Sequence, residues 1–315
     1  MDQPLHPGNQ FQGRVQQRLR LARVMLIGLL GVVVFAIVSA YGLSSARMNK
    51  TYPIVDTPLT VPNDAASIER GRHLAVAIAK CADCHTADLG GGQVFDAPPA
   101  RLIAPNLTSG PGGIGAQFSD ADWVRAIRHG VGPNGKPLLF MPSQVFAALS
   151  ASDLADIIAY VKSVPPVDRR LPPSVVKPLG RLLLLAGQFP LLPAEVIDHR
   201  APLPVAPPPG ITTAYGQYLV ATGGCMHCHG DNLSGGPIVG APPNTPPAAN
   251  LTPGGELAGW SDADIVRALR DGIRPGGAPL SALMPWRFTR LMTDDEIAAV
   301  IRYLRSVPAR AEHTR

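Results

Sequence analysis

Aromatic residues are scarce in this sequence: eight Phe, six Tyr and three Trp make up 5% of 315 residues. So few large rings exclude a core built on Phe and Trp, and they leave room for another large apolar object to complete it. Cysteine is scarcer still, with four in all. Charge of one sign is missing from most of the chain. Six basic residues (Arg14, Arg18, Arg20, Arg23, Arg47, Lys50) and one acid (Asp2) place the whole formal charge of +5 within residues 1–50. Residues 51–315 hold 22 bases and 22 acids, which excludes a basic nucleic-acid-binding body. What is plentiful is proline and glycine, 34 and 32 residues. That load argues against dense sheet or helix packing but stays below the range of about 25–30% typical of low-complexity chains. The length suggests about two domains.

Residues 24–43 form a 20-residue stretch without a charge, long enough to cross a bilayer as one helix. Four Arg precede it and two bases follow, so the positive-inside bias leaves a basic arm, residues 1–23, in the cytoplasm and exports the rest. A cleaved signal peptide is the competing reading, with tolerable small-residue sites at Ala40 and Ala46. The long apolar stretch and long leading arm favour a retained anchor, followed by a linker over 44–64.

The rest of the chain repeats itself. Cys81-Ala-Asp-Cys84-His85 recurs 144 residues later as Cys225-Met-His-Cys228-His229. Asn106-Leu-Thr returns as Asn250-Leu-Thr, FSDADWVRAIRHGV (118–131) as WSDADIVRALRDGI (260–273), and Met141-Pro142 as Met284-Pro285. Tyr160 and Tyr303 are 143 apart. Such constant offsets indicate a duplicated module, over 65–166 and 211–308, with a Pro-rich connector at 167–210 and a tail at 309–315. Each copy reads as three short helices joined by long loops. The first lies near 67–80 and 212–223. The second opens on Ser119 and Ser261, and the last on Ser150 and Thr293, each with an acid three residues on as in a capping box. Within the connector, the apolar stretch 179–192 is expected to pack across the two modules rather than lie on a membrane.

C-x-x-C-H is the attachment signature of c-type haem. Two thiols on one helical turn can form thioethers to a porphyrin, and the adjacent His reaches the iron. A redox dithiol would need a βαβ context and no following His. A zinc site made from both pairs matches by ligand count, yet each pair sits in its own module with its own downstream Met. All four cysteines are then used, and two haems supply the missing apolar bulk. Met141 and Met284 lie 60 and 59 residues after the first Cys of their copies, each before a Pro. They are the expected distal ligands, with Met292 a nearby competitor. His/Met ligation saturates the iron and raises its potential, which leaves electron transfer as the chemistry. His73, His129, His199 and His227 have no counterpart in the other copy and read as packing or surface residues. Asn106 and Asn250 sit in N-x-T sequons and read instead as loop residues hydrogen-bonding near a haem edge.

With these motifs in place, the chain resembles class I cytochromes c, in particular the multihaem cytochrome c subunits of membrane-bound alcohol and gluconate dehydrogenases. The resemblance covers about 65–166 and 211–308. It implies a mostly α fold of two tandem helical haem domains behind one N-terminal transmembrane helix. It implies two covalently attached haem c groups, on Cys81 and Cys84 and on Cys225 and Cys228, with His85 and His229 proximal and Met141 and Met284 distal. It also implies an electron-transfer protein rather than an enzyme, on the periplasmic side of a bacterial inner membrane. Its electrons would come from a dehydrogenase and go towards quinone or a terminal oxidase. This chain has two modules where that subunit family commonly has three, and its anchor is N-terminal. A dihaem cytochrome c peroxidase is the alternative, but it needs one haem that can open, hence unlike distal ligands. Here the two M-P loops match.

Deleting residues 1–46 behind a cleavable signal is expected to give a soluble protein. Membrane fractionation checks this: sedimentation of the truncated protein with membranes would point to a second membrane contact.

Overall fold

The computed structural model describes residues 7–55, 58–238, 240–241 and 244–313. The first element, α1 (Pro7–Met48), is a single helix of 42 residues. At 1.5 Å per residue it is about 60 Å long, twice a hydrocarbon core of about 30 Å. Its span Arg14–Met48 is long and apolar enough to cross a membrane, with a hydropathy of 2.7. The linker expected from residue 44 begins later, because Ala46, Arg47 and Met48 are good helix formers and carry the helix on. This helix up to Arg47 forms one compact unit, and residues from Met48 onward form another.

In the second unit, Asp64 accepts from the Ser67 amide and starts α2 (Ala65–His73), slightly earlier than the pattern suggested. The helix continues through a π-helical turn, Leu74–Ile78. The reason is one residue of extra chain. Ten residues separate Gly71 from Cys81, whereas nine separate Gly216 from Cys225 in the second copy, and a π turn is how a helix absorbs a single insertion. Next comes α3 (Cys81–His85), then strands β1 (Gly92–Ala97) and β2 (Ala100–Ala104) in an antiparallel hairpin. A capping box of Ser119 and Asp122 opens α4 (Asp120–His129), and Gly130 closes it in the left-handed region. Then follow α5 (Ser143–Phe146) and α6 (Ala151–Ser163).

The connector adds β3 (Val175–Val176), which pairs with β2, and α7 (Pro178–Leu185). Leu184, Phe189, Leu191 and Leu192 are buried against Ala100 and Leu102. The stretch 179–192 therefore packs on the hairpin of the first module rather than across both. The second module repeats the helices as α8 (Thr213–Thr222), α9 (Cys225–His229), α10 (Asp262–Asp271), α11 (Trp286–Thr289) and α12 (Asp294–Ser306).

The hairpin is a small addition to the expected mostly α fold, and the second copy shows why no strand matches it there among the described residues. The pair that begins the hairpin, Gly92 with Ala104, recurs 144 residues on as an isolated bridge, Gly236 with Ala248. Between them the first copy has Val94, Phe95, Leu102 and Ile103, which suit a pleated strand. The second has Pro237, Pro242, Pro243, Pro246 and Pro247, which cannot donate to a ladder. One further expectation changes. Ser150 caps α6 through the Asp153 amide, but the reciprocal bond of a capping box is absent there, because Asp153 is drawn instead to Arg70 and Tyr218. Gly71 abuts the Asp156 backbone, where an added Cβ would lie 1.9 Å from the carbonyl oxygen. Gly216 meets the Ala299 carbonyl at the same 1.9 Å and the Tyr303 Cβ at 2.8 Å.

One hydrophobic cluster runs through both modules, from Leu74, Trp123 and Ile157 to Leu219, Ile265 and Ile301. The modules meet reciprocally. α11 of the second packs on the π turn of the first, and α5 of the first packs on α8 of the second. His73 on α2 hydrogen-bonds Glu296 on α12 at 2.9 Å, and Tyr218 on α8 donates to Asp153 on α6. These are the same two positions in each copy, exchanged, as an isologous two-fold interface requires. Glu296 holds His73 above the ordinary histidine range by hydrogen bonding to its charged form.

Two outcomes follow. Gly-to-Ala in an exposed helix usually stabilises, but Gly71→Ala and Gly216→Ala are each expected to destabilise by about 3 kcal/mol through overpacking, measured by denaturant unfolding. Because the folded-state pKa of His73 is raised from 6.5, its contribution to stability is complete below that value and is lost as pH rises through the raised one. The unfolding free energy is thus expected to fall as pH rises from 6.5 through the raised value, and Glu296→Gln should flatten that slope. An unchanged slope in the variant would show that another group carries it.

Candidate functional site

Each C-x-x-C-H motif is a one-turn helix entered through a left-handed residue: Lys80 (φ 55°) before α3 and Gly224 (φ 72°) before α9. The turn places both cysteines and the histidine of each motif on adjacent positions. Burial pushes the Cys81 thiol up to about 12 and the Cys84 thiol up to about 11, the latter with help from Asp83. Burial also raises Cys225 and Cys228. A redox-active dithiol needs the opposite, a stabilised thiolate. Among the described residues no group of three or more His, Cys, Asp or Glu could hold a metal ion, so the zinc reading lacks its ligand cluster.

The histidines are held alike. His85 Nδ1 donates to the Pro105 carbonyl at 2.9 Å, and His229 Nδ1 donates to the Ala249 carbonyl at 2.7 Å. Burial lowers the basicity of both rings, against the opposing pull of those carbonyls. The result is a neutral imidazole whose Nε2 has no hydrogen-bond partner among the described residues, the form that ligates a metal.

The carbonyl acceptors are positioned by residues that the sequence patterns did not single out. Gly91 donates to the His85 carbonyl at 2.9 Å and Gly235 to the His229 carbonyl at 2.8 Å. Both have positive φ, and a Cβ on Gly91 would lie 2.5 Å from the Pro105 carbonyl oxygen. The repeated spacing, a glycine six residues after each motif histidine, is the sequence signal for them. Asn106 is 1% exposed and Asn250 0%, so neither sequon is open to glycosylation. Each accepts from the amide and hydroxyl of the Thr two residues on. Each also donates across the module, to Val167 at 2.8 Å or Arg310 at 2.9 Å. These asparagines fasten the loop after the carbonyl to the chain beyond the last helix, and Asn106 also borders the cavity beside His85.

In the first module Cys81, Cys84, His85 and Met141 all line one cavity of about 690 Å³. Trp123, Ile127, Phe146, Leu149, Ile157 and Val161 give it apolar walls. Part of the wall comes from the second module: Thr222, Gly223, Gly224, His227 and Pro285. His227, expected to be a surface or packing residue, is exposed and borders this cavity. In the second module Cys225, Cys228 and His229 share α9, and Met284 occupies the place of Met141, one residue before a Pro and a short helix. Met292 is 8% exposed and part of the core cluster, so it is packing. The two methionine loops are not equally fastened. The Phe140 amide donates to the Leu191 carbonyl of the connector at 2.8 Å, whereas the amide of its counterpart Leu283 turns back on the Ser281 hydroxyl at 3.3 Å.

The remaining histidines pack. His129 and His199 bond to each other through their Nδ1 atoms at 3.1 Å, and the His199 ring meets Tyr52 edge-on. Burial, with Arg128 beside it, lowers His129 to about 4.

The chain matches proteins of known type at moderate identity. It is 29% identical over 276 residues to the cytochrome c subunit of alcohol dehydrogenase (quinone) from Gluconacetobacter polyoxogenes, covering 78% of this chain and 57% of that protein. It is 30% identical over 273 residues to the fructose dehydrogenase cytochrome subunit of Gluconobacter japonicus, covering 78% and 54%. The chain thus spans a little over half the length of these two relatives. A diheme cytochrome c-type protein of Cereibacter sphaeroides is 28% identical over 309 residues, covering 89% of this chain and 97% of its own. The cytochrome c family model matches residues 68–165 and 213–308, each span holding one of the C-x-x-C-H helices just described, and the chain therefore belongs to the cytochrome c family.

Proposed function

We propose that this chain carries two covalently attached haem c groups and relays single electrons at the outer face of a bacterial inner membrane, held there by α1. The observation that carries this reading is the duplicated histidine geometry: in both copies the motif His is fixed at Nδ1 by a backbone carbonyl, with Nε2 left for iron. The residues fit the group. A cavity of about 690 Å³ with apolar walls, two neutral thiols and a thioether matches what a large flat porphyrin needs. Bound haem supplies a one-electron ferric/ferrous couple.

The chain's own residues do the rest. Cys81 and Cys84, and Cys225 and Cys228, hold the group through thioether bonds. His85 and His229 would ligate it through Nε2. Met141 and Met284 would supply the thioether ligands, and the Pro after each keeps its loop extended. A histidine and a methionine on each iron would leave no ligand position for a small oxidant, which is why electron relay is favoured over peroxide chemistry. The walls exclude water, and a dry, buried site holds a potential above that of an exposed one.

The relatives support a dehydrogenase as electron donor, since two are cytochrome subunits of alcohol and fructose dehydrogenases. The two-haem count is supported by the diheme relative, most of whose length this chain covers. Quinone or a terminal oxidase is the acceptor we favour. Phe140 and Leu283, each just before a methionine of the pair, are 39% and 49% exposed. With a near-neutral body behind them, they suit docking through apolar contact rather than charge.

Haem staining with a reduced-minus-oxidised spectrum is expected to report two c-type haems per chain; one or none would defeat the reading. Met141→Ala and Met284→Ala are each expected to abolish the methionine-to-iron absorption of one haem and leave the other intact.

A further inference from the structure

The two motif helices are entered through equivalent left-handed residues, yet one of these is a glycine and the other a lysine. Gly224 adopts φ 72° at no cost, whereas Lys80 holds φ 55°, a conformation that disfavours any side chain with a Cβ. Lys80 is placed in that strained position with its side chain turned across the module boundary. Its Nζ donates to the Ile78 carbonyl at 2.9 Å and to the Gly223 carbonyl of the second module at 2.7 Å. Gly223 lies two residues before Cys225. The ammonium thus lies between the entry turns of the two motifs, on the residue before Cys81 and bonded to the carbonyl two residues before Cys225. Two acceptors with a third N–H to spare suit the charged form, which has three donors, although burial pulls its basicity below that of an ordinary lysine. Asp83 and Arg287 pair with each other across the same boundary. Lys80 is therefore a half-buried charge set between the two cysteine motifs.

We propose that Lys80, a residue of the first module, is a positioning and tuning element for both haem sites, holding its own couple and that of the second module at higher potential. This rests on the reading of both motifs as haem sites. The physics is the sign of the charge change. Oxidation adds one positive charge to an iron site, and a nearby cation opposes that addition. In an enclosed medium the interaction is screened far less than in water. Because the ammonium sits at the thioether side of both motifs, one charge acts on two sites. Its bond to Gly223 holds the entrance of the second motif in place.

The test is a spectroelectrochemical titration of the full-length, haem-loaded protein. Lys80→Gln and Lys80→Gly both remove the charge, and Lys80→Gly also relieves the left-handed backbone, so it should fold even where Lys80→Gln does not. Both variants are expected to keep two haems per chain and to shift both waves of the titration to lower potential. Tyr218→Phe loosens the same boundary without removing a charge and is expected to leave both waves in place. A shift in only one wave, no shift in either, or an equal shift in Tyr218→Phe would overturn the proposal while leaving the two-haem reading intact. Failure to find two haems in the unaltered protein would overturn both.

Discussion

A hydrogen bond from an imidazole to a backbone carbonyl fixes the geometry of each module, and most of the remaining structure exists to put that carbonyl where it is. His85 and His229 are aimed by Pro105 and Ala249. Those carbonyls follow directly on the last residue of a hairpin in one copy and of a single bridge in the other. Glycines at positive φ let the two backbones approach, and a buried Asn locks the following loop to the chain beyond the last helix. An acceptor supplied by the main chain tolerates any residue type. That is why Pro and Ala can serve at equivalent positions, and why the second copy can lose nearly all its strand pairing without losing the contact.

The parts of this arrangement that depend on side-chain chemistry were legible in the sequence. The C-x-x-C-H helices and the capped helices at Ser119, Ser261 and Thr293 sit where their patterns put them. The parts that depend on backbone acceptors and long-range competition were not. The hairpin over 92–104 is too short and too interrupted by proline to stand out against loop. The capping box at Ser150 fails because Asp153 has stronger partners, Arg70 and Tyr218, from distant stretches of chain. A local pattern cannot see either. The π turn is an intermediate case: its cause, one extra residue before Cys81, is visible only when the two copies are laid beside each other.

The copies are alike in fold but not in surroundings. The first has the connector folded against its hairpin and its methionine loop pinned by Leu191, and its cavity is walled partly by the second module. The second has a looser methionine loop and a glycine where the first has Lys80. The repeat therefore carries two equal sets of Cys, His and Met residues, and the copies differ in the residues around them. Two sites with the same ligands can be set apart in this way, because burial and nearby charge tune a metal centre as strongly as ligand identity does.

The exchanged contacts, His73 with Glu296 and Tyr218 with Asp153, are those of a symmetric homodimer, but here the two partners are joined by a connector of some forty residues. Tethering replaces bimolecular association with an encounter at an effective concentration on the order of millimolar. Two untethered modules would separate as they were diluted, whereas the fused pair stays together at any abundance in the cell. The connector thus makes pairing independent of expression level.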